Sequence, residues 1–246
     1  MPIRIREMMA ALSEHKHIFN ISFTGGELFL IPNIVDACRE ITKRHFVGFT
    51  TNLVTGRIRE LNDAVNPHAI SFIVASFHPE EFEKVYAVNM FVDNYLRFWH
   101  KGVKITAKAV AYPKFKDKLL KYQKTLSIKG VNLAFSPFIG ELEGKKYPDS
   151  YSDEELRDFC LNPSIKQFTN NLGKPCNAGY NAASIGINGD ITSCSNIPEK
   201  LGNIYTGFKF NSRMKTCPNA FCDCPLKDYD KELFEQAQIK SMLPQK

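Results

Sequence analysis

The stretch Ile21-Ser-Phe-Thr-Gly-Gly-Glu27 decides the fold, because it joins an apolar run to a glycine-rich turn that ends in a carboxylate. The apolar run extends back to residue 18, and its β-branched and aromatic side chains predict a buried strand at 18–23. Pro32-Asn33 then precede a helix that we expect at about 34–43. A strand, a turn and a helix together make the repeating unit of a parallel sheet.

The same unit recurs along the chain. The predicted elements that follow are a strand at 46–51, a helix at 58–64, a strand at 69–77, a helix from 79 towards 99, a strand at 104–112, a helix at 117–126 and a strand at 131–138. A separate helix with one apolar face is predicted at 3–12. Five strands that alternate with helices over roughly 140 residues indicate an α/β protein with parallel strands. Periodicity alone leaves a barrel and a doubly wound sheet both open.

Four short segments lie where predicted strands end. They are Gly25-Gly26-Glu27, Thr51-Asn52, Ser76-Phe77-His78 and Ile139-Gly140-Glu141. Active sites of parallel α/β folds lie beyond the carboxyl ends of the strands. We therefore expect these segments to share one edge of the sheet and to form the site, with Lys108 pointing into the interior of a barrel.

The strand–helix rhythm stops after residue 141. The segment 142–152 is polar and is predicted to be a loop. A helix is predicted at 153–161, with Ser152 as N-cap and Glu155 completing a capping box. Asn188-Gly189 lies between β-branched residues and predicts a β-hairpin.

Five of the seven cysteines fall within 49 residues near the C-terminus. They are Cys176, Cys194, Cys217, Cys222 and Cys224. Thiolates grouped in this way hold zinc or an iron–sulfur cluster. The odd number and the clustering of the cysteines favour metal binding over a disulfide framework. The two others, Cys38 and Cys160, fall in predicted helices, so we expect both to be buried packing residues.

Composition excludes some classes of function. The net charge of +6 comes from lysines that are spread along the chain with few aromatic residues among them, which favours solvated helix faces over a nucleic-acid surface. No apolar run reaches the roughly 18 residues of a membrane helix. The N-terminus has no apolar signal-peptide region. We expect a cytoplasmic protein with no nucleic-acid or membrane partner.

The window 18–30 resembles the second strand and loop of the radical S-adenosylmethionine (radical SAM) enzymes, with Leu28 in place of their usual proline. Phe49-Thr50-Thr51-Asn52 is similar to the family's Thr-Asn-Gly segment, with Leu53 in place of glycine, and the run 71–76 resembles the strand whose terminal serine lies near the cofactor. The resemblance implies that Gly25, Gly26, Glu27, Asn52 and Ser76 bind S-adenosylmethionine. The alternatives are a helix-capping acid for Glu27, a turn cap for Asn52 and a helix N-cap for Ser76.

The C-terminal part resembles the auxiliary-cluster extensions called Twitch and SPASM domains. The chain has Cys176, a hairpin with Gly189, four further residues and then Cys194, as their opening pattern requires. Five cysteines, against seven in a full SPASM domain, imply one [4Fe–4S] cluster. The resemblance implies that its ligands are Cys176, Cys194, Cys217 and Cys222, with Cys224 as an alternative. A structural zinc site on four cysteines is the competing interpretation.

The three cysteines that hold the catalytic cluster of radical SAM enzymes, usually C-x3-C-x2-C, have no counterpart, because no cysteine precedes Cys38. Three interpretations stay open. The chain is a fragment or a mis-started gene product, a degenerate family member that has lost radical chemistry, or an unrelated β/α protein with a cysteine-rich tail.

The expected architecture is a truncated (β/α)6 partial TIM-like barrel at 1–140, followed by a small cysteine-rich α+β auxiliary-cluster module at 150–246. The resemblance implies that the complete enzyme cleaves S-adenosylmethionine reductively, with electrons from a reductase. The resulting 5′-deoxyadenosyl radical abstracts hydrogen from a substrate that is a peptide, a protein or a small metabolite. The alternative is a non-catalytic zinc- or cluster-binding module that serves structure or interaction.

Overall fold

Parallel strands build the first part of the molecule. The computed structural model describes residues 1–84, 86–166 and 170–220 of the 246-residue chain. Its residues group into two units, one made of Met1–Ile3 with Ile18–Gln167 and the other of Arg4–His17 with Phe168–Lys246. The helix near the start therefore belongs to the second unit, although the strands that follow it in the sequence belong to the first.

The first unit contains one five-stranded parallel sheet. Its strands are β1 (Asn20–Phe23), β2 (Phe46–Thr51), β3 (Ile70–Ser76), β4 (Ile105–Ala111) and β5 (Leu133–Pro137), in the spatial order β1-β2-β3-β4-β5. All four pairings are parallel. Strands that neighbour each other in both sequence and space, joined by helices, form the wall of a barrel. The α/β architecture expected from the sequence is confirmed, and the sheet is consistent with a partial barrel.

Helices connect the strands. They are α2 (Ile34–Ile41), α3 (Arg57–Ala64), α4 (Pro79–Lys84), α5 (Val88–His100), α6 (Lys116–Ile128) and α7 (Asp153–Asp158), after α1 (Ile5–Ser13) of the second unit. The sequence predicted a single helix from 79 towards 99, whereas the structure has two. Tyr86 adopts φ 52°, a left-handed conformation that no α-helix accommodates, and α5 begins two residues later. None of the helices within the described residues has the length and apolar character of a membrane span.

The two faces of the parallel sheet differ in burial. Phe49, Ala75 and Ala107 are fully buried on the face that α2, α5 and α6 cover. Residues one position away point to the other face, since side chains alternate along a strand. Thr50, Val74 and Thr106 line up across three strands there and are only half-buried. The first unit thus has an open face, as the inner wall of a partial barrel does.

Two sequence expectations are wrong in the region after β5. The segment 142–152, predicted to be a loop, contains half of a hairpin formed by β6 (Gly140–Leu142) and β7 (Lys145–Tyr147). Its turn residues Glu143 and Gly144 have φ of 53° and 75°, as in a type I′ turn. Cys160, predicted to be buried in a helix, is exposed with φ 52°, because α7 ends at Asp158. The capping box of Ser152 and Glu155 is confirmed.

The second unit is built from short antiparallel strands and α1. One sheet has the order β12-β11-β10-β9, made of Gly207–Phe208, Ile197–Asn203, Asp190–Cys194 and Ser184–Ile185. The pair β8 (Pro175–Cys176) and β13 (Lys215–Thr216) stands apart from it. In this unit α1 packs on β12, where the rings of His15 and Phe208 stack with their centroids 4.2 Å apart.

The hairpin predicted at Asn188-Gly189 is confirmed, since β9 and β10 pair antiparallel on either side of it. Gly189 has φ 83°, and a Cβ at this position would lie 2.5 Å from the ring of Tyr205. Both the left-handed backbone and the close ring require glycine. The turn therefore fixes the register in which β10 pairs with β9. Cys194 is the last residue of β10.

Candidate functional site

The loop after β1 exposes its backbone. Gly25 and Gly26 are exposed, Gly25 has φ 123°, and a Cβ built at either glycine would meet no atom within 4 Å. A side chain would be strained at Gly25 by the backbone conformation. Space is nevertheless open around both positions, so their carbonyl and amide groups are accessible to a ligand.

Glu27 fixes this loop to the neighbouring strand. Its Oε1 accepts hydrogen bonds from the Phe29 N–H (3.1 Å) and the Thr51 hydroxyl (2.9 Å), and its Oε2 accepts one from the Asn52 N–H (2.9 Å). The first bond caps the short 3-10 helix Leu28–Leu30, and the others reach the end of β2. The helix-capping alternative that the sequence left open therefore describes the side chain of Glu27.

Asn52 and Leu53 form a tight turn after β2. The Asn52 side-chain oxygen accepts a hydrogen bond from the Val54 N–H at 3.0 Å, as a turn-capping asparagine does. Leu53, at the position where the radical SAM pattern has glycine, has φ 59° and is fully buried. The Leu53 N–H donates to the Thr51 hydroxyl, and the Leu53 carbonyl accepts from the Asn94 amide at 2.7 Å. The left-handed turn is thus kept without glycine, with burial and hydrogen bonds offsetting the strain.

Ser76 and Lys108 are neighbours on the open face. Ser76 ends β3 and pairs in parallel register with Lys108 of β4. Lys108 is exposed, and within the described ranges the structure gives its ammonium group no ion pair and no hydrogen bond. His78 lies two residues after Ser76 and is exposed, and its carbonyl accepts the hydrogen bond from the Phe82 N–H at the start of α4. A hydroxyl at the carboxyl end of β3 and a cation in the middle of β4 therefore lie side by side.

The structure brings the predicted segments of β1 and β2 into direct contact through Glu27 and places Ser76 at the end of the next strand. Sequence reasoning named Glu27 and Asn52 separately, but missed that the Thr51 hydroxyl joins them. The signal was present, since Thr51 is the last residue of a predicted strand and such residues meet the neighbouring loop. Ile139 and Glu141, also predicted at this edge, are exposed at the β6 hairpin.

Three of the predicted cluster ligands lie together in the second unit. Cys176, Cys194 and Cys217 are 8%, 7% and 6% exposed and form one buried group with Ala178. Each is a free thiol. They come from β8, from the end of β10 and from the residue after β13, so three separate strands carry them. Cys222 and Cys224 lie outside the described residues.

A cavity of about 290 Å³ adjoins Cys176, one of the three thiols. Its walls are made by Cys176, Ala178, Ser193, Ile197, Glu199, Lys215, Thr216 and Pro218. Across residues 1–84, 86–166 and 170–220, no three His, Cys, Asp or Glu side chains converge so as to hold a metal ion. A single zinc ion would need its sulfur ligands to converge on one point about 2.3 Å away. In a [4Fe–4S] cluster each thiolate binds a different iron, so grouped but separate buried thiols fit the donor set of a cluster.

Two charged residues of this cavity were missed by sequence reasoning. Glu199 accepts hydrogen bonds from the Ser193 hydroxyl (2.6 Å) and the Asn211 amide (3.2 Å), and it forms an ion pair with Lys215. The hydrogen bond from Lys215, followed by that from Ser193, lowers the pKa of Glu199 to about 2. No motif links these residues, because the strand pairing of the second unit is what joins them.

The comparisons with known proteins were consistent with this geometry. No protein-family model matches the sequence, and no curated protein matches it. Among solved structures, native anSMEcpe with bound AdoMet and the Kp18Cys peptide is similar, with a TM-score of 0.54 and 14% identity over 83% of this chain and 70% of that chain. Hexahistidine-tagged anSMEcpe with bound AdoMet has a TM-score of 0.54 and 13% identity, over 99% of this chain and 88% of that chain. This likeness shows the fold, which is radical SAM-like.

Proposed function

We propose that this chain is a radical SAM protein that binds S-adenosylmethionine at the carboxyl edge of its parallel sheet and a [4Fe–4S] auxiliary cluster on its C-terminal cysteines. The observation that carries the proposal is the joined edge of β1 and β2, where Glu27 ties the exposed Gly25-Gly26 loop to Thr51 and Asn52. The structural likeness to AdoMet-bound anSMEcpe supports it.

The methionine part of S-adenosylmethionine carries an ammonium and a carboxylate. The exposed carbonyls of Gly25 and Gly26 are acceptors for the ammonium, and a loop held by Glu27 keeps them in place before the ligand arrives. Lys108 and Ser76 offer a cation and a hydroxyl to the carboxylate, an interaction that is stronger than one between neutral groups. In this proposal Glu27 positions the loop rather than contacting the ligand, and Asn52 caps the turn beside it.

The cluster part of the proposal rests on the grouped thiols. Cys176, Cys194 and Cys217 supply three ligands, and Cys222, with Cys224 as the alternative, supplies the fourth. When bound, a [4Fe–4S] cluster supplies one-electron chemistry at a potential set by the charges and hydrogen bonds around it. The protein's part is to hold the thiols buried and to keep water away from them.

Radical chemistry is proposed for the complete enzyme. There, S-adenosylmethionine held at the Gly25-Gly26 loop would supply a 5′-deoxyadenosyl radical for hydrogen abstraction, with the electron for its reductive cleavage coming from a reductase. The Kp18Cys peptide bound by anSMEcpe supports a peptide or protein substrate over a small metabolite. The protein supplies position and shielding while the cofactor carries the chemistry.

A non-catalytic metal-binding module is the second candidate. It is favoured by one observation, namely that the Glu27 carboxylate is already occupied by three donors of its own chain. In that case the β1 edge is a structural joint, and the cysteines bind zinc or a cluster for stability or partner binding.

The deciding experiment is the measurement of iron, sulfide and zinc per chain after anaerobic purification and reconstitution. About four iron and four sulfide per chain support the cluster. Replacing Cys194 by alanine should abolish that content, whereas Cys160→Ser, at an exposed cysteine outside the group, should leave it unchanged. About one zinc per chain with no iron retained would reject the cluster and favour the structural module.

A further inference from the structure

A lysine faces one of the grouped thiols across a two-stranded ribbon. In the pairing of β8 with β13, Lys215 lies directly opposite Cys176. Directly opposed residues of antiparallel strands point to the same face, with Cβ atoms about 4.5–5.5 Å apart. Both residues also line the 290 Å³ cavity. Two independent observations, the register and the shared cavity, therefore make Lys215 a neighbour of Cys176.

Glu199 holds this lysine in place. The carboxylate pairs with the Lys215 ammonium and is itself held by the hydroxyl of Ser193 and the amide of Asn211. Ser193 is 1% exposed, so its hydroxyl holds the Glu199 carboxylate from the buried side of the cavity. The side chains of Lys215 and Glu199 are 54% and 31% exposed, so the cavity wall carries a paired cation and anion in partial contact with solvent.

We propose that the Lys215–Glu199 pair sets the reduction potential of the cluster that Cys176 helps to bind. This inference rests on the cluster proposed above and goes beyond it, because it assigns a role to two residues that are not ligands. Lys215 and Glu199 are positioning residues that act through the electric field at the cluster.

The direction of the effect follows from charge. Reduction adds one electron to the cluster, so a nearby cation stabilises the reduced state and a nearby anion destabilises it. Removing Lys215 leaves the Glu199 carboxylate uncompensated and lowers the potential. Removing Glu199 leaves the ammonium uncompensated and raises it. A merely structural role for the pair predicts no such opposite shifts.

The test is a reductive titration of the reconstituted 246-residue chain with dithionite and redox mediators, monitored by electron paramagnetic resonance. Dithionite supplies the one electron that each cluster takes up. Because water screens a half-exposed charge, we expect K215Q to have, at a fixed potential, a reduced-to-oxidised ratio about threefold below that of the wild type, equivalent to about 28 mV. E199Q should shift in the opposite direction, and the double variant K215Q/E199Q should return towards the wild type.

K215R should keep the wild-type potential, because it keeps the cation. Lys209→Gln is the matched control, since Lys209 is exposed in the same unit, does not line the cavity and changes the net charge equally. Unchanged potentials in K215Q and E199Q, at full iron and sulfide content, would overturn the inference alone. Absence of iron from the wild-type protein would instead overturn the cluster on which the inference rests.

Discussion

The Thr51 hydroxyl lies 2.9 Å from one carboxylate oxygen of Glu27 and 3.0 Å from the other, although the two residues are separated by 24 positions in the sequence. The contact joins the loop after β1 to the last residue of β2. Thr51 is 3% exposed, so water does not compete for this bond. The geometry of the glycine loop therefore depends on the neighbouring strand as well as on its own residues.

Replacing Glu27 by alanine should lower the free energy of unfolding by about 2–3 kcal/mol, because three donors lose a charged acceptor. Most of this loss comes from the Thr51 hydroxyl and the Asn52 N–H, which no longer have a hydrogen-bond acceptor. Replacing Thr51 by valine should lower the free energy of unfolding by about 1–2 kcal/mol. Urea denaturation of the variants measures both effects. Glu60→Ala, at an exposed glutamate of α3, is the matched control and should change stability by less than about 0.5 kcal/mol. Equal stability of the Glu27 and Glu60 variants would show that the hydrogen bonds of Glu27 do not contribute to the free energy of unfolding.

At Leu53, we expect the glycine variant to be more stable than the alanine variant, which is the reverse of the usual order. Its φ of 59° strains any L-residue, while its side chain is fully buried. Leu53→Ala loses the burial and keeps the strain, whereas Leu53→Gly loses the burial and relieves about 1 kcal/mol of strain. We therefore expect the glycine variant to be the more stable of the two, by about 1 kcal/mol in chemical denaturation.

Leu61 provides the comparison for Leu53. It is also fully buried, but it lies within α3, where glycine is about 1 kcal/mol less favourable than alanine. The order of the two variants should thus reverse at Leu61. The same order at both positions would contradict the strain that we assign to Leu53.

The sequence predicts the elements whose signals are local, and it misses those that leave no local pattern. The strands β2 and β3 were predicted within one residue of their ends, because their apolar runs are bounded by turn residues. The break between α4 and α5 was missed, since a left-handed Tyr86 leaves no signal in the apolar pattern. The β6 hairpin was missed for a related reason, as Glu143-Gly144 is a weaker turn signal than Asn-Gly or Asp-Gly.

The candidate site was predictable in part. The sequence indicated Gly25, Glu27 and Asn52, because parallel strand ends meet at one edge. It did not indicate that donors of the same chain would hydrogen-bond to the Glu27 carboxylate, nor that Lys215 would lie opposite Cys176. Both depend on pairing between segments that no local pattern links. The ligand roles of Cys222 and Cys224 stay predictions.

His45 should make stability depend on acidity. It is buried, its Nδ1 accepts the Phe19 N–H at 3.3 Å, and burial, with a smaller contribution from Arg44, lowers its pKa to about 4. Because the unfolded chain takes up this proton near pH 6.5, the stability contribution is complete above that pH and is lost as the pH falls from about 6.5 to about 4. Over the whole range the loss should amount to about 3 kcal/mol.

The His45→Asn variant isolates this effect, since asparagine offers an oxygen acceptor in place of Nδ1 and does not titrate. Urea denaturation of both proteins at pH 7 and pH 5 should give a stability difference between the two pH values that is larger in the wild type. A parallel loss of stability in both proteins would assign the acid sensitivity to other groups.

Lys108 provides the sharpest test of the ligand site. If its ammonium group receives the carboxylate of S-adenosylmethionine, Lys108→Gln should weaken binding about tenfold, because a charge-assisted hydrogen bond is replaced by a neutral one. Equilibrium dialysis with labelled S-adenosylmethionine measures the dissociation constant. Lys104→Gln is the matched control, since Lys104 is exposed but precedes β4 at the opposite end from the site. Equal affinities for the wild type and both variants would remove Lys108 from the site, whereas no binding to the wild type would reject the proposed S-adenosylmethionine site itself. Tenfold weaker binding in Lys108→Gln alone would support a contact between the ligand's carboxylate and Lys108 on the open face, beside Ser76.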